Sequence, residues 1–229
     1  MENVLFLSPH PDDVELGCLG TINEYVKRGY NVFVAIATDG EKGNIDPEKY
    51  DRIEESVECL SKVGVKRENI LPFHLPDTKL NDHRSDIFEL VEGFCIKNNI
   101  DTIYINSNKD YHQDHLVVFE EALRAARKVK NILTYESNSS TFSSFSPNYF
   151  VNVSEFIDEK VNYLKSHKSQ DGKHFILDHS VKSLAKFRGN QTKNLDYAEA
   201  FEVFRMTNWG KPNESFGNRS WWTSWRMYN

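Results

Sequence analysis

A chain of 229 residues is long enough for one well-filled core and reads as a single domain, 1–229, rather than two. Its 34 acidic side chains outnumber 28 scattered basic ones, and a net charge of -6 argues against nucleic-acid binding. No stretch approaches the roughly 20 apolar residues of a membrane span, and no basic-then-apolar leader opens the chain. The three cysteines, Cys18, Cys59 and Cys95, form no CxxC pair, so they read as reduced, packed thiols of a cytoplasmic protein.

In chain order, short apolar runs alternate with longer amphipathic ones. Residues 4–7 predict a buried strand and 21–28 a helix closed by Gly29. Residues 32–37 are continuously apolar, as a strand buried on both faces requires. A helix over 47–63, a strand over 70–74, a helix over 82–98 and a strand over 102–105 follow, then a helix over 116–128 and a strand over 132–135. This β-α repetition predicts an α/β fold: a Rossmann-like, doubly wound, mostly parallel sheet with helices on both faces and a C-terminal elaboration. Past Glu136 the rhythm changes. Residues 137–146 are mostly serine, asparagine, threonine and phenylalanine, a composition that fits either a plain loop or a lid over a site. An edge strand is expected over 149–153, and helices over 155–166 and 175–187. All four tryptophans (Trp209, Trp221, Trp222, Trp225) fall in the tail 206–229. So much aromatic surface must pack somewhere: on the core or a second subunit of a homo-oligomer, as a sugar-stacking wall, or at a membrane surface.

The chemistry is concentrated in two clusters. Pro9-His10-Pro11-Asp12-Asp13 follows the first strand, and Tyr111-His112-Gln113-Asp114-His115 follows the strand at 102–105. Adjacent carboxylates repel unless a cation or proton uses them. The carboxyl ends of strands are where open α/β sheets place ligands. Each cluster also has a plainer reading. The first fits a turn in which an aspartate caps the next helix, and a single HxxH pair has little significance by itself. Because both follow strands of one predicted sheet, they reach the same rim. His10, Asp13 and His115 then make a three-ligand set of two imidazoles and one carboxylate, the pattern of a catalytic Zn2+ site that also suits Fe2+. Asp12, beside a ligand but free to point elsewhere, is the candidate general base. His112, three residues before His115, is the candidate to stabilise an oxyanion or protonate a leaving amine, with Asp114 orienting it.

These residues resemble the PIG-L / LmbE-like de-N-acetylase family. The string from Pro9 to Cys18 matches its first motif and His112-Gln113-Asp114-His115 its second. Thr38-Asp39-Gly40, Arg52-Ile53-Glu54-Glu55, Leu75-Pro76-Asp77, Lys165-Ser166-His167-Lys168-Ser169-Gln170 and Tyr197-Ala198-Glu199-Ala200-Phe201 resemble further family elements, so the likeness spans about residues 3–205. It implies a zinc-dependent hydrolase that removes acetyl from an N-acetylglucosamine-type sugar or its conjugate. It also implies His10, Asp13 and His115 as ligands, Asp12 as base, His112 as electrophilic partner supported by Asp114, Arg52 near the substrate and Tyr197 at the oxyanion. Other readings are an amidase for another acyl group or a thiol conjugate, and a non-catalytic sugar- or metal-binding module; binding alone has no use for a base at Asp12. The chain departs from the family pattern at Cys18-Leu19-Gly20-Thr21, where Gly-Gly-Thr is usual, and at Asp110, where some members carry tyrosine.

Overall fold

The computed structural model describes residues 2–141 and 144–207. The tryptophan-rich segment, and the expectation that it packs against the protein, a subunit or a ligand, lies outside the described residues apart from Met206 and Thr207.

The alternation read from the sequence is present: β1 (Asn3–Ser8), α1 (Asp13–Lys27), β2 (Asn31–Thr38), α2 (Arg52–Lys62), β3 (Ile70–Leu75), α3 (Arg84–Lys97), β4 (Thr102–Asn106), α4 (Gln113–Ala125) and β5 (Asn131–Tyr135). After these come β6 (Tyr149–Asn152), α5 (Ile157–Leu164), α6 (Asp178–Thr192) and β7 (Ala198–Arg205). The strands form one sheet in the order β3-β2-β1-β4-β5-β7-β6. β1 to β5 are mutually parallel, and β7 and β6 close one edge antiparallel. The strand order reverses between β1 and β4, which opens a crevice outside their carboxyl ends.

Side-chain alternation along β1 builds a core on each face. Val4 and Phe6 pack with α1 and α2, whereas Leu5 and Leu7 pack with α3 and α4. Each such fully buried side chain contributes about 1.5–3 kcal/mol of apolar transfer. Cys18, Cys59 and Cys95 are buried and unpaired. No helix among the described residues is long and apolar enough to cross a membrane.

Three departures from expectation have a visible structural cause. α1 begins at Asp13 rather than 21, although its first two turns contain two glycines and a cysteine. Tertiary contacts override the weak propensity there, since Glu199 on β7 reaches into the helix and accepts from the Gly20 and Thr21 amides (2.8 and 2.7 Å). The Leu16 carbonyl accepts instead from Lys160 Nζ (2.6 Å), which also pairs with Glu199 (2.7 Å). A β-carbon at Gly20 would meet a Val153 methyl at 2.4 Å, so the departure at this turn still keeps glycine where chains touch. α2 starts at Arg52 because the Asp51 carboxylate caps it, accepting from the amides of Ile53 and Glu54 (3.0 and 3.1 Å). β7 is a strand that the alanine- and glutamate-rich string 198–202 does not signal. Pairing on both sides makes it one.

Candidate metal and catalytic site

β1 ends in a turn wound around Ser8. Its hydroxyl donates to the His10 carbonyl (2.6 Å) and accepts from the Val14 amide (3.2 Å). Asp12 occupies the position just before α1 with φ 113°, rare and costly for a residue with a side chain. It makes no side-chain cap, so the plain capping reading fails. Its carboxylate instead meets the Arg52 guanidinium at 3.0 Å. Arg52, itself buried, also donates to the Pro11 carbonyl (2.7 Å) and the Gly40 carbonyl (2.6 Å). Gly40 has φ 65°, and a β-carbon there would lie 2.3 Å from the guanidinium, which accounts for the Thr38-Asp39-Gly40 turn. Arg52 therefore braces the strained Asp12 turn from behind. This narrows the expectation that it faces the substrate: its partners are the protein's own oxygens. On the same helix, Glu55 accepts from the Ser169 amide and hydroxyl (3.0 and 2.6 Å), tying in the C-terminal signature.

Across the crevice, His112 caps α4 and His115 sits in its first turn. His10 Nδ1, Asp13 Oδ2 and His115 Nε2 form a triangle with sides of 3.3, 3.1 and 3.2 Å. Ligands on a tetrahedral ion with bonds near 2.1 Å are about 3.4 Å apart, so the three atoms fit around one cation. The far side of each imidazole is held by carboxylates. His10 Nε2 lies 3.3 Å from both Asp77 Oδ1 and Asp114 Oδ2, and His115 Nδ1 lies 2.8 Å from Asp110 Oδ2. Those carboxylates can only accept, so they fix the N–H on the outer nitrogen and leave both inner lone pairs facing Asp13. The donor set suits a divalent cation.

The charges lead to the same conclusion. Burial disfavours the charged form of His10, yet hydrogen bonds to the acceptor carboxylates of Asp114, Asp13 and Asp77 outweigh it and hold its pKa well above the ordinary value. His115 is likewise lowered by burial but lifted by Asp13 and Asp110, to about 9. Asp13, which burial raises, is held well below the usual carboxylate range by His115 and His10. Raised imidazole pKa values mean that protons compete with a cation for these nitrogens. Metal uptake must displace them, so the apparent metal affinity of the folded protein should rise with pH up to about 9, tenfold per unit for each proton released. The metal-free protein should behave oppositely in stability. A raised imidazole pKa stabilises fully below the unfolded value near 6.5, and that contribution fades as pH climbs through about 9. Chelator-buffered titrations and thermal melts at pH 6 to 9 check both signs; a flat affinity profile would contradict the assignment.

Two expected roles are corrected. Asp114 does not orient His112. Residues two apart on a helix do not face each other, and the Asp114 carboxylate points to His10 and accepts from the Thr78 amide (2.8 Å). Its own amide is what meets His112, donating to Nδ1 at 3.3 Å. Nε2 of His112 is thereby the nitrogen with the proton to offer. Burial, followed by the neighbouring His10 and His115, depresses the His112 pKa and favours the neutral ring. Its ring centre is 4.8 Å from those of both His10 and His115. Tyr197 makes its contacts elsewhere: its ring lies under Lys186 Nζ (5.2 Å) and its backbone pairs with Ser154. Sequence reading passed over Asp77 and Asp110 as outer partners of the ligands. The available signals were their place just beyond a parallel strand and, for Asp77, the family-like Leu75-Pro76-Asp77 element.

The fold and this cluster define a class: a doubly wound α/β protein with a carboxylate-backed candidate cation site at its topological switch. The chain belongs to the GlcNAc-PI de-N-acetylase (PIG-L) family, which it matches over residues 5–126. It is 33% identical over 175 residues to the uncharacterized deacetylase YaiS of Escherichia coli K12, covering 73% of this chain and 91% of that one. It is 28% identical over 192 residues to the diacetylchitobiose deacetylase of Thermococcus kodakarensis, covering 74% and 70%. The crystal structure of the conserved protein TT1542 from Thermus thermophilus superposes with a TM-score of 0.76 at 25% identity, over 92% of this chain and 98% of that one.

Proposed function

We propose that this chain is a zinc-dependent hydrolase that removes the acetyl group from an N-acetylated amino sugar of the N-acetylglucosamine type, or its conjugate, releasing acetate and a free amine. The observation that carries the reading is the pairing of the His10–Asp13–His115 donor triangle with an adjacent carboxylate, Asp12, that lies outside the triangle and is braced by Arg52. Family membership and the diacetylchitobiose deacetylase relative support the substrate class. His10, Asp13 and His115 would hold the ion, and zinc, or ferrous iron on the same donors, would supply Lewis-acid polarisation of the amide carbonyl and acidify a water towards neutrality.

The protein's groups do the rest. Asp12 takes a proton from the attacking water as its oxygen bonds the acyl carbon, and returns that proton to the nitrogen as the C–N bond breaks. Burial raises its pKa above the ordinary carboxylate value and Arg52 opposes the rise, a shift that makes the carboxylate a better proton acceptor. His112 donates from Nε2 to the oxygen on which negative charge develops. Its Nδ1 is occupied by the Asp114 amide, which suits it to stabilising the oxyanion better than to delivering a proton.

The test is acetate release from a panel of N-acetylglucosamine, its oligosaccharides and its conjugates, with metal content determined on the same preparation. Release that tracks bound metal supports the reading. A metal-replete protein silent on every member, but active on other amides, would move it to the broader amidase class.

A further inference from the structure

The serine-rich segment after β5 is wound into the flank of the site. Ser137 and Ser140, both buried, direct their hydroxyls at the carboxylates that shape the cation triangle. Ser137 Oγ lies 3.2 Å from Asp13 Oδ1, the oxygen that faces away from the imidazoles. A carboxylate only accepts, so the serine donates, and Ser139 Oγ at 2.8 Å donates to Ser137 in turn. Ser140 Oγ donates to Asp110 Oδ2 at 2.8 Å, the oxygen that also accepts from His115 Nδ1. The other Asp110 oxygen takes the His112 amide at 2.9 Å.

The segment is anchored independently of these contacts. Thr141 Oγ1 accepts from the Ser137 amide (2.7 Å), Asn138 Nδ2 donates to the Phe175 carbonyl (2.7 Å), and Tyr111 donates through its amide to the Ser140 carbonyl (3.3 Å) and through its hydroxyl to the Ser139 carbonyl (3.2 Å). The hydroxyls are therefore presented by a fixed backbone, as a supporting shell must be.

We infer that Ser137 and Ser140 are positioning residues for the cation site. Ser137 fixes the rotation of Asp13 so that Oδ2 is the oxygen turned towards His10 and His115, and Ser140 orients His115 through Asp110. The inference rests on His10, Asp13 and His115 being the ligands. Without Ser137, the Asp13 carboxylate is free to turn its second oxygen inward. Without Ser140, Asp110 loses one of the three donors that set its plane, and the His115 ring follows it.

The experiment is cobalt binding to the metal-free full-length chain, read by chelator competition and by the visible absorption of bound Co2+. Ser137→Ala, Ser140→Ala and the double variant are compared with wild type and His115→Ala. Each serine variant should lose about 10–100-fold in affinity, the usual cost of removing an outer partner of a ligand. The absorption envelope should change as the coordination relaxes, while the melting transition of the metal-free protein stays close to that of wild type. Serine variants that bind Co2+ within about twofold of wild type, while His115→Ala does not bind, overturn the inference and leave the ligand assignment standing. His115→Ala binding like wild type overturns the assignment itself, and the inference with it. Loss of the metal-free melting transition in the serine variants assigns these residues to folding and overturns their positioning role.

Discussion

His115→Ala should empty the cation site and abolish deacetylation together. Only His10 Nδ1 and Asp13 Oδ2 remain of the triangle, and a two-ligand site does not hold a catalytic ion against competing chelators. The loss should exceed the 10–100-fold cost of removing an outer partner, because the substitution removes one of the three donor groups themselves, and Asp110 loses one of its three hydrogen-bond donors with it. His10→Ala and Asp13→Ala should behave alike. Elemental analysis alongside acetate release checks all three. Stoichiometric metal and normal turnover in His115→Ala would remove His115 from the ligand set.

Asp12→Asn keeps the metal and loses the rate. The amide preserves size and can still accept from Arg52, so the strained turn at φ 113° keeps its brace. What disappears is basicity, and a positioned general base contributes about 10²–10⁴-fold. The expected result is wild-type metal content with kcat reduced at least on the order of 10²-fold. Turnover equal to wild type would exclude Asp12 from proton transfer. Together the two substitutions separate holding the ion from moving the proton, since one loses metal and activity and the other activity alone.

Much of the fold was legible because its signals are local. Apolar runs such as 32–37, Gly29 and Gly64 behind helices, and the β-α rhythm all lie within short windows, and each window predicted its element. The exceptions are places where distant contacts decide. The first turns of α1 have weak propensity and are held by Glu199 and Lys160. β7 has alanines and glutamates where strands usually carry branched residues, and it is a strand because β5 and β6 flank it.

The site divides in the same way. By itself the sequence determined that His10, Asp12, Asp13, His112 and His115 stand on one rim, because each lies a few residues beyond a strand whose apolar pattern is unmistakable, and parallel neighbours end on the same side. Only the tertiary structure decided which group supports which. Asp114 is adjacent to His115 and two residues from His112, yet its carboxylate serves His10 across the crevice, because helical geometry turns it there. Arg52 turns out to be the brace of Asp12, and Tyr197 makes its contacts elsewhere. Ser137 touches Asp13 across 124 residues of chain, in a segment whose composition alone read as a loop or a lid. Hydrogen bonds of this kind depend on ångström-scale placement between separate elements, and residue spacing along the chain does not encode it.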